Sequence, residues 1–352
     1  MKQTKRVMVG AVPVGGGAAV SVQSMCTTDT RDIEATAAQI SELESLGCDI
    51  IRVAVPDGRA ASAISKIIGR IRIPLVADIH FDYRLAIASA ENGASKLRIN
   101  PGNIGGEDRV KALTDCARAH RIPIRIGVNL GSLEPELEKK YGATPQAMVR
   151  SALGHVRLLE KFGFDDIVLS LKASDVSATV EAYRLIAQSC GYPLHIGVTE
   201  AGTVKTGTIK SAIGIGSLLL DGIGDTLRVS LTGEPAEEVR VGKSILKALG
   251  LRSGGVTVIS CPTCGRCHVD IIGIAQEVEE RTAHMKEPIT IAVMGCAVNG
   301  PGEARHADIG IAGGGEGSAV IFRRGEKLRT VRGNILEELM LEVDRLIQEK
   351  DN

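Results

Sequence analysis

Two short segments in the last quarter of the chain hold the residues best suited to chemistry. Cys261 and Cys264 stand at C-x2-C spacing in Ser260-Cys261-Pro262-Thr263-Cys264-Gly265-Arg266-Cys267. Cys296 opens Cys296-Ala297-Val298-Asn299-Gly300-Pro301-Gly302-Glu303. Two thiolates at that spacing can bind one metal centre from a single turn, and soft sulfur ligands suit iron–sulfur or zinc. Each segment follows a strand-like run. The first also precedes a helix-like run, whose opening N–H groups would lie near the sulfurs. The glycines and Pro301 of the second would let backbone wrap closely around a bulky inorganic core. A structural zinc site made by Cys261, Cys264, Cys296 and either Cys267 or His268 fits the same spacing, so both readings stand here.

A second group of residues points to an anion. Arg52, Arg98, Arg125 and Arg228 each lie between two apolar residues in a strand-like run. Alternation sends neighbours to opposite faces, and a guanidinium on an interior face is costly unless an anion or carboxylate answers it. Arginine forks match phosphate oxygens, so four of them on one axis suit a polyanionic ligand. Structural ion pairs are the bland alternative, but strand positions supply few acids, chiefly Asp78 and Glu200. Polar residues gather where these runs end: Asp78, His80, Asn100, Asn129, Lys172, Glu200 and Ser230.

The elements that must position these groups are legible as a repeat. Strand candidates fall at 19–25, 50–55, 74–80, 95–100, 124–129, 166–172, 194–199 and 226–231, with amphipathic segments between them, such as Ile33–Leu46. Eight such units within roughly 250 residues is the arithmetic of a (β/α)8 TIM-type barrel, expected over 1–250. Leu251–Gly255 reads as a linker. After it a small α+β domain, 256–352, is expected. Its strands lie at 256–260, 289–295 and 307–313, a hairpin over 318–331 turns near Gly325, and helices cover about 269–284 and 335–348. The cationic, glycine-rich start reads as a hairpin closing the bottom of the barrel, not a cleaved leader.

Composition narrows the class further. The 352 residues carry 42 basic and 42 acidic side chains, so nothing global favours nucleic acid or an anionic membrane. Aromatics are 2%, which leaves Val, Ile, Leu and Ala to build the core, as in parallel α/β interiors. Eight cysteines are too few for a secreted disulfide scaffold, and a cytoplasmic setting is expected. No run reaches the ~20 uninterrupted apolar residues that a membrane span needs. Gly214-Ile215-Gly216 fails the dinucleotide pattern because Leu219 stands at its third glycine position, and Gly313–Gly317 reads as a turn.

The segments SCPTCGR (260–266), GCAVNGPGEA (295–304), LRINPGN (97–103), ADIHFDYRLA (77–86), GVTEAG (197–202) and IGIGSLLLDGIGDTLRVSLT (213–232) together resemble the GcpE (IspG) family over essentially the whole chain. The length matches the short bacterial form. That resemblance implies an oxidoreductase of non-mevalonate isoprenoid biosynthesis. Its reaction is reductive ring opening and dehydroxylation of 2-C-methyl-D-erythritol 2,4-cyclodiphosphate to 4-hydroxy-3-methylbut-2-enyl diphosphate. It further implies a [4Fe–4S] cluster held by Cys261, Cys264, Cys296 and Glu303, with the diphosphate bound by Arg52, His80, Arg98, Arg125, Asn129 and Lys172, joined by Ser230. Glu200 matches an acidic residue near the reacting carbon. Reduced flavodoxin or ferredoxin is the implied electron donor, and a homodimer the implied assembly.

One position departs from the pattern: Cys267 stands where threonine is expected, giving C-x2-C-x2-C. A carboxylate is harder and easier to displace than a thiolate, which suits an iron that must bind oxygen and favours Glu303 over Cys267. Cys267 is expected in the first helical turn, packing rather than ligating. Two other classes remain: a zinc-stapled barrel enzyme acting on another phosphorylated or pterin substrate, and an electron-transfer iron–sulfur protein with no use for the arginines.

Overall fold

The computed structural model describes residues 3–298, 302, 304–315 and 317–350. It divides into two compact units, Met1–Arg252 and Ser253–Asn352. The first opens with an antiparallel hairpin, β1 (Val7–Val9) and β2 (Val12–Val14). Val7, Val9 and Val14 pack against Ile50, Val76 and Val168 from the barrel strands, so the hairpin closes one end of the barrel.

Eight parallel strands follow: β3 (Ser21–Met25), β4 (Ile50–Ala54), β5 (Leu75–Asp78), β6 (Lys96–Ile99), β7 (Ile124–Asn129), β8 (Ile167–Lys172), β9 (His195–Ile196) and β10 (Thr226–Leu227). They run β8-β7-β6-β5-β4-β3-β10-β9, and a parallel bridge from Leu169 to Leu194 joins the two ends of that order. Helices α1 (Ile33–Ser45), α2 (Gly58–Ile68), α3 (Tyr83–Glu91), α4 (Pro101–Ile104), α5 (Glu107–Ala119), α6 (Pro135–Tyr141), α7 (Pro145–Lys161), α8 (Val176–Ser189), α9 (Val204–Leu220) and α10 (Pro235–Ala248) fill the connections. The expected (β/α)8 barrel is thus present. Asp32, Asp57, Asp82 and Asp175 each accept a backbone N–H at a helix start, which fixes where four of the strand-to-helix turns end.

Strand alternation divides the barrel residues cleanly. Val22, Ile51, Val53, Ala77, Leu97, Ile124, Ile126, Leu169 and Leu227 belong to the apolar layer beneath the helices. Their neighbours, among them Gln23, Arg52, Asp78, Lys96, Arg98, Arg125, Lys172 and His195, have the opposite parity and face the interior. The last two strands are shorter than expected. Gly197 explains the early end of β9: a Cβ there would lie 2.3 Å from the Arg228 carbonyl oxygen, so the two chains approach closely beyond Ile196.

The second unit is a five-stranded sheet of β11 (Thr257–Ser260), β12 (Thr290–Met294), β13 (Ile309–Gly315), β14 (Ser318–Arg323) and β15 (Glu326–Arg332), in sequence order. The first three strands are parallel and the last three antiparallel. Helices α11 (Ile271–Thr282) and α12 (Ile335–Lys350) share a core with the sheet through Ile271, Val278, Leu339, Val343, Ile291, Val293 and Ile311. The glycine run expected as a turn instead carries β13 through Gly315, with a register shift between Gly313 and Gly315. Gly214 and Gly216 lie inside α9.

Candidate active site

The barrel gathers its cations at the ends of β4 to β8. Register sets Arg98 beside both Asp78 and Arg125, and Asn129 beside Lys172. Asp78, 4% exposed, is the acid at their centre. It receives Arg98 Nη1 at 3.2 Å, His80 Nε2 at 3.4 Å and Arg52 Nε at 4.0 Å. Burial pushes its carboxyl up, but the Arg52 and Arg98 guanidiniums and the His80 ring prevail and hold it well below the ordinary carboxylate range. Two nitrogens of Arg52 also lie 2.8 and 3.0 Å from Met25 Sδ. Burial lowers Arg52 to about 10, with Asp78 opposing and Arg228 and Arg98 adding to the shift.

Arg125 and Lys172 have no such answer. Arg125 is 1% exposed, and its Nε and Nη1 have no hydrogen-bond partner among the described residues. Burial, then the Arg52 and Arg98 charges, drive it well below its ordinary value. Lys172 is lowered likewise by burial and then by Arg125 and Arg228. An anion delivered here would relieve a repulsion already built into the fold. Two glycines make the room. A Cβ on Gly127 would lie 2.6 Å from Arg98 Nε, and one on Gly197 would lie 3.0 Å from Lys172 Nζ.

The other barrel candidates lie around this group. His80 is at the rim, with its side chain 57% exposed, and Asn129 and Ser230 are half-buried. Glu200 is exposed and holds a left-handed backbone, φ +51°, in the turn after β9. Arg228 does not join the unanswered cations, because Glu238 on α10 takes it at 3.3 Å. Sequence reasoning missed Glu238, which comes from a helix. It also missed Lys96, fully buried with Nζ 3.4 Å from Gln23 Oε1, and the fully buried His195. Their signal was available: both share the interior parity of the arginines.

In the second unit Cys261, Cys264 and Cys267 lie in the turn between β11 and α11, and Cys296 follows β12. Cys264 is exposed, Cys261 and Cys267 half-buried, and Cys296 buried. The amides that serve the sulfurs are not those of the helix start, as the sequence had suggested. Gly295 N–H donates to Cys261 Sγ at 3.3 Å, and the Arg266 amide, with its side chain, holds the Cys264 thiol below its ordinary value. The helix begins only at Ile271, capped by Asp270, so Cys267 is not in a helical turn. Its Sγ points to the Val269 carbonyl at 3.2 Å and crosses Gly295, where a Cβ would sit 2.5 Å away. Glu303 lies outside the described residues. Among the described residues no three His, Cys, Asp or Glu side chains are grouped to hold a single metal ion. A cubane takes each thiolate on a different iron, so its ligands stand further apart than those of one ion. Thiols with amide donors aimed at their sulfurs fit such a group.

Two family patterns cover the chain. The pattern described as the GcpE TIM-barrel domain matches residues 4–243, and that of the GcpE protein C-terminal domain matches 257–345. The chain belongs to the GcpE family. A relative from Caldanaerobacter subterraneus subsp. tengcongensis, named 4-hydroxy-3-methylbut-2-en-1-yl diphosphate synthase (flavodoxin), is 60% identical over 351 residues, covering 99% of each chain. A Geobacter sulfurreducens relative of the same name is 59% identical over 350 residues, again covering 99% of each. Among solved structures, type I 3-dehydroquinate dehydratase from Clostridium difficile superposes with a TM-score of 0.52 at 13% identity, covering 70% of this chain and 98% of that one. This last likeness supports the barrel fold alone. No helix among the described residues is long and apolar enough to cross a membrane.

Proposed function

We propose that this GcpE-family chain is an iron–sulfur oxidoreductase that opens and dehydroxylates 2-C-methyl-D-erythritol 2,4-cyclodiphosphate to 4-hydroxy-3-methylbut-2-enyl diphosphate. The observation that carries the reading is the barrel mouth, where Arg52 and Arg98 lean on one carboxylate, Asp78, and Arg125 and Lys172 stand beside them unanswered. The grip is therefore cationic before any ligand arrives. The full-length relatives' shared name supplies the substrate class.

In this reading the unanswered donors of Arg125 and the ammonium of Lys172 take the diphosphate. Arg52 and Arg98 stay oriented by Asp78 and so act as fixed dipoles rather than free arms. His80, Asn129 and Ser230 complete the contacts at the rim. The same cations stabilise the phosphate charge released when the ring C–O bond breaks. Glu200, held at the mouth by its left-handed backbone, delivers the proton that the departing hydroxyl needs. Cys261, Cys264 and Cys296, with Glu303 as the fourth, non-thiolate ligand, would hold a [4Fe–4S] cluster, which supplies electrons one at a time and a Lewis-acidic iron. Flavodoxin is the donor favoured by the relatives' names, and the working form is a cytoplasmic homodimer.

Purification without oxygen, followed by iron, sulfide and zinc assay, tests the cofactor. Four irons and four sulfides per chain are expected for one such cluster, and stoichiometric zinc without sulfide would refute the reading. Turnover of the cyclic diphosphate with reduced flavodoxin then separates an enzyme from an electron carrier.

A further inference from the structure

Below the mouth, the barrel interior carries a second set of polar groups that the diphosphate grip does not use. Ser21, Thr226 and His195 are register neighbours on β3, β10 and β9. Gln23 stands two residues further along β3, and Lys96 sits two residues before Arg98 on β6. All five are at most 5% exposed. Ser21 Oγ, Gln23 Nε2, both ring nitrogens of His195 and Thr226 Oγ1 have no hydrogen-bond partner among the described residues, like Nε and Nη1 of Arg125. Among the described residues, the one side-chain hydrogen bond within the set runs from Lys96 Nζ to Gln23 Oε1, at 3.4 Å.

The mismatch has a sign. The Gln23 amide nitrogen and the Lys96 ammonium can only donate, the two hydroxyls can turn to donate as well, and the Gln23 oxygen already faces Lys96. Buried donors left without acceptors cost free energy, and a buried ammonium costs more unless a negative charge balances it. Asp78 is committed to Arg52, Arg98 and His80. Burial and the nearby Arg125 and Arg52 charges lower Lys96, and burial with Arg125, Lys172 and Lys96 lowers His195, so both feel the same excess of positive potential. What this layer lacks is an acceptor with a charge.

We propose that Lys96, Gln23 and His195 form a second, deeper anion site in the barrel interior, beneath the diphosphate grip and separate from it, which holds a small inorganic anion of the halide class. Its occupant is a resident counter-ion that satisfies the buried donors from below while the mouth stays free for substrate. The site depends on the barrel geometry, not on the reaction.

Crystals of the anaerobically purified full-length protein grown in sodium bromide test it by anomalous scattering. A bromide peak within contact distance of Lys96 Nζ and Gln23 Nε2 is expected. Water alone there, or bromide at the mouth alone, would overturn the proposal. Added inorganic diphosphate should leave the peak in place, and its displacement would make the two positions one. In solution, replacing gluconate by bromide at constant ionic strength should raise the melting temperature by roughly 3 °C. Lys96→Met should abolish both peak and shift. If that variant fails to fold, Gln23→Glu carries the test. Its carboxylate supplies the missing acceptor from within, so the protein should melt higher than wild type in gluconate and ignore bromide. A Gln23→Glu protein that still binds bromide, or gains nothing in gluconate, refutes the site.

Discussion

The groups aimed at a ligand in the barrel are carried on strands and buried beside an aliphatic core, whereas those of the C-terminal unit hang on the turns after β11 and β12. Arg125 is 1% exposed, while Cys264 is exposed outright. The barrel holds its cations in place before a ligand arrives and bears a standing electrostatic cost, visible in the lowered pKa values of Arg125 and Lys172. Among the described residues the cysteine turns carry no comparable cluster of buried like charges, and Cys264 is open to water. Their order can come from the iron–sulfur cluster proposed for them, as metal sites commonly gain order with their metal. A polyanion can be met by a rigid mould, but an inorganic core is better wrapped by backbone that is free to adjust.

The sharpest way to break this contrast is to remove one sulfur. Cys264→Ser should abolish the brown colour and all turnover, while inorganic diphosphate still binds the barrel with unchanged affinity by calorimetry. Iron and sulfide retained at the wild-type level would discard Cys264 as a ligand. Glu200→Gln should slow turnover by about 10²–10⁴ with the cluster's colour intact, the usual range for a lost proton donor. A near-normal rate would take Glu200 out of the chemistry.

Arg125→Met tests the cost borne by the barrel. Losing a buried, charge-assisted fork should weaken diphosphate binding by about 2–3 kcal/mol, or roughly 30- to 150-fold. The ligand-free protein should melt no lower than wild type, because a buried unanswered charge has gone. A clear drop in melting temperature would mean that Arg125 is structurally paired after all. The mildest test concerns protons. Lys172 is lowered in the free protein, and a bound diphosphate should raise it again. Binding should therefore take up protons and weaken as pH rises through the range where the free amine has lost its charge but the complex has kept it. Calorimetry in buffers of different ionisation enthalpy reads this directly, and proton release would contradict it.

Asp78 gives the opposite pH signature. Its folded pKa is depressed, so its contribution to stability is fully present above the unfolded value of about 3.9 and is lost as pH falls through the folded value. Acid melting below about pH 4 should be steeper in wild type than in Asp78→Asn; equal slopes would show that Asp78 is not the acid that balances the grip.

Much of this was legible in the sequence, because alternation alone assigns Arg52, Arg98 and Arg125 to one face. The same rule covers Lys96 and His195, but their signal is weaker than that of an arginine between two apolar neighbours, because Lys96 follows a serine and His195 lies near a proline, at the start of a short strand. Glu238 could not be read that way, because it reaches Arg228 from a helix and no strand periodicity predicts it. The cysteine spacing was plain, yet the donor to Cys261 is the amide of Gly295, 34 residues away, a pairing that only the parallel register of β11 and β12 creates.

The valine hairpin of β1 and β2 gives the barrel one further property. A tube stoppered at its floor has a single door, so reactant, product and the water released by dehydroxylation must all share it. Traffic through the site is then strictly sequential: nothing enters until the previous occupant has left. Loosening the stopper, for example by Val9→Ser, would change stability without opening a second route, because the residues above it are the polar layer and not a channel.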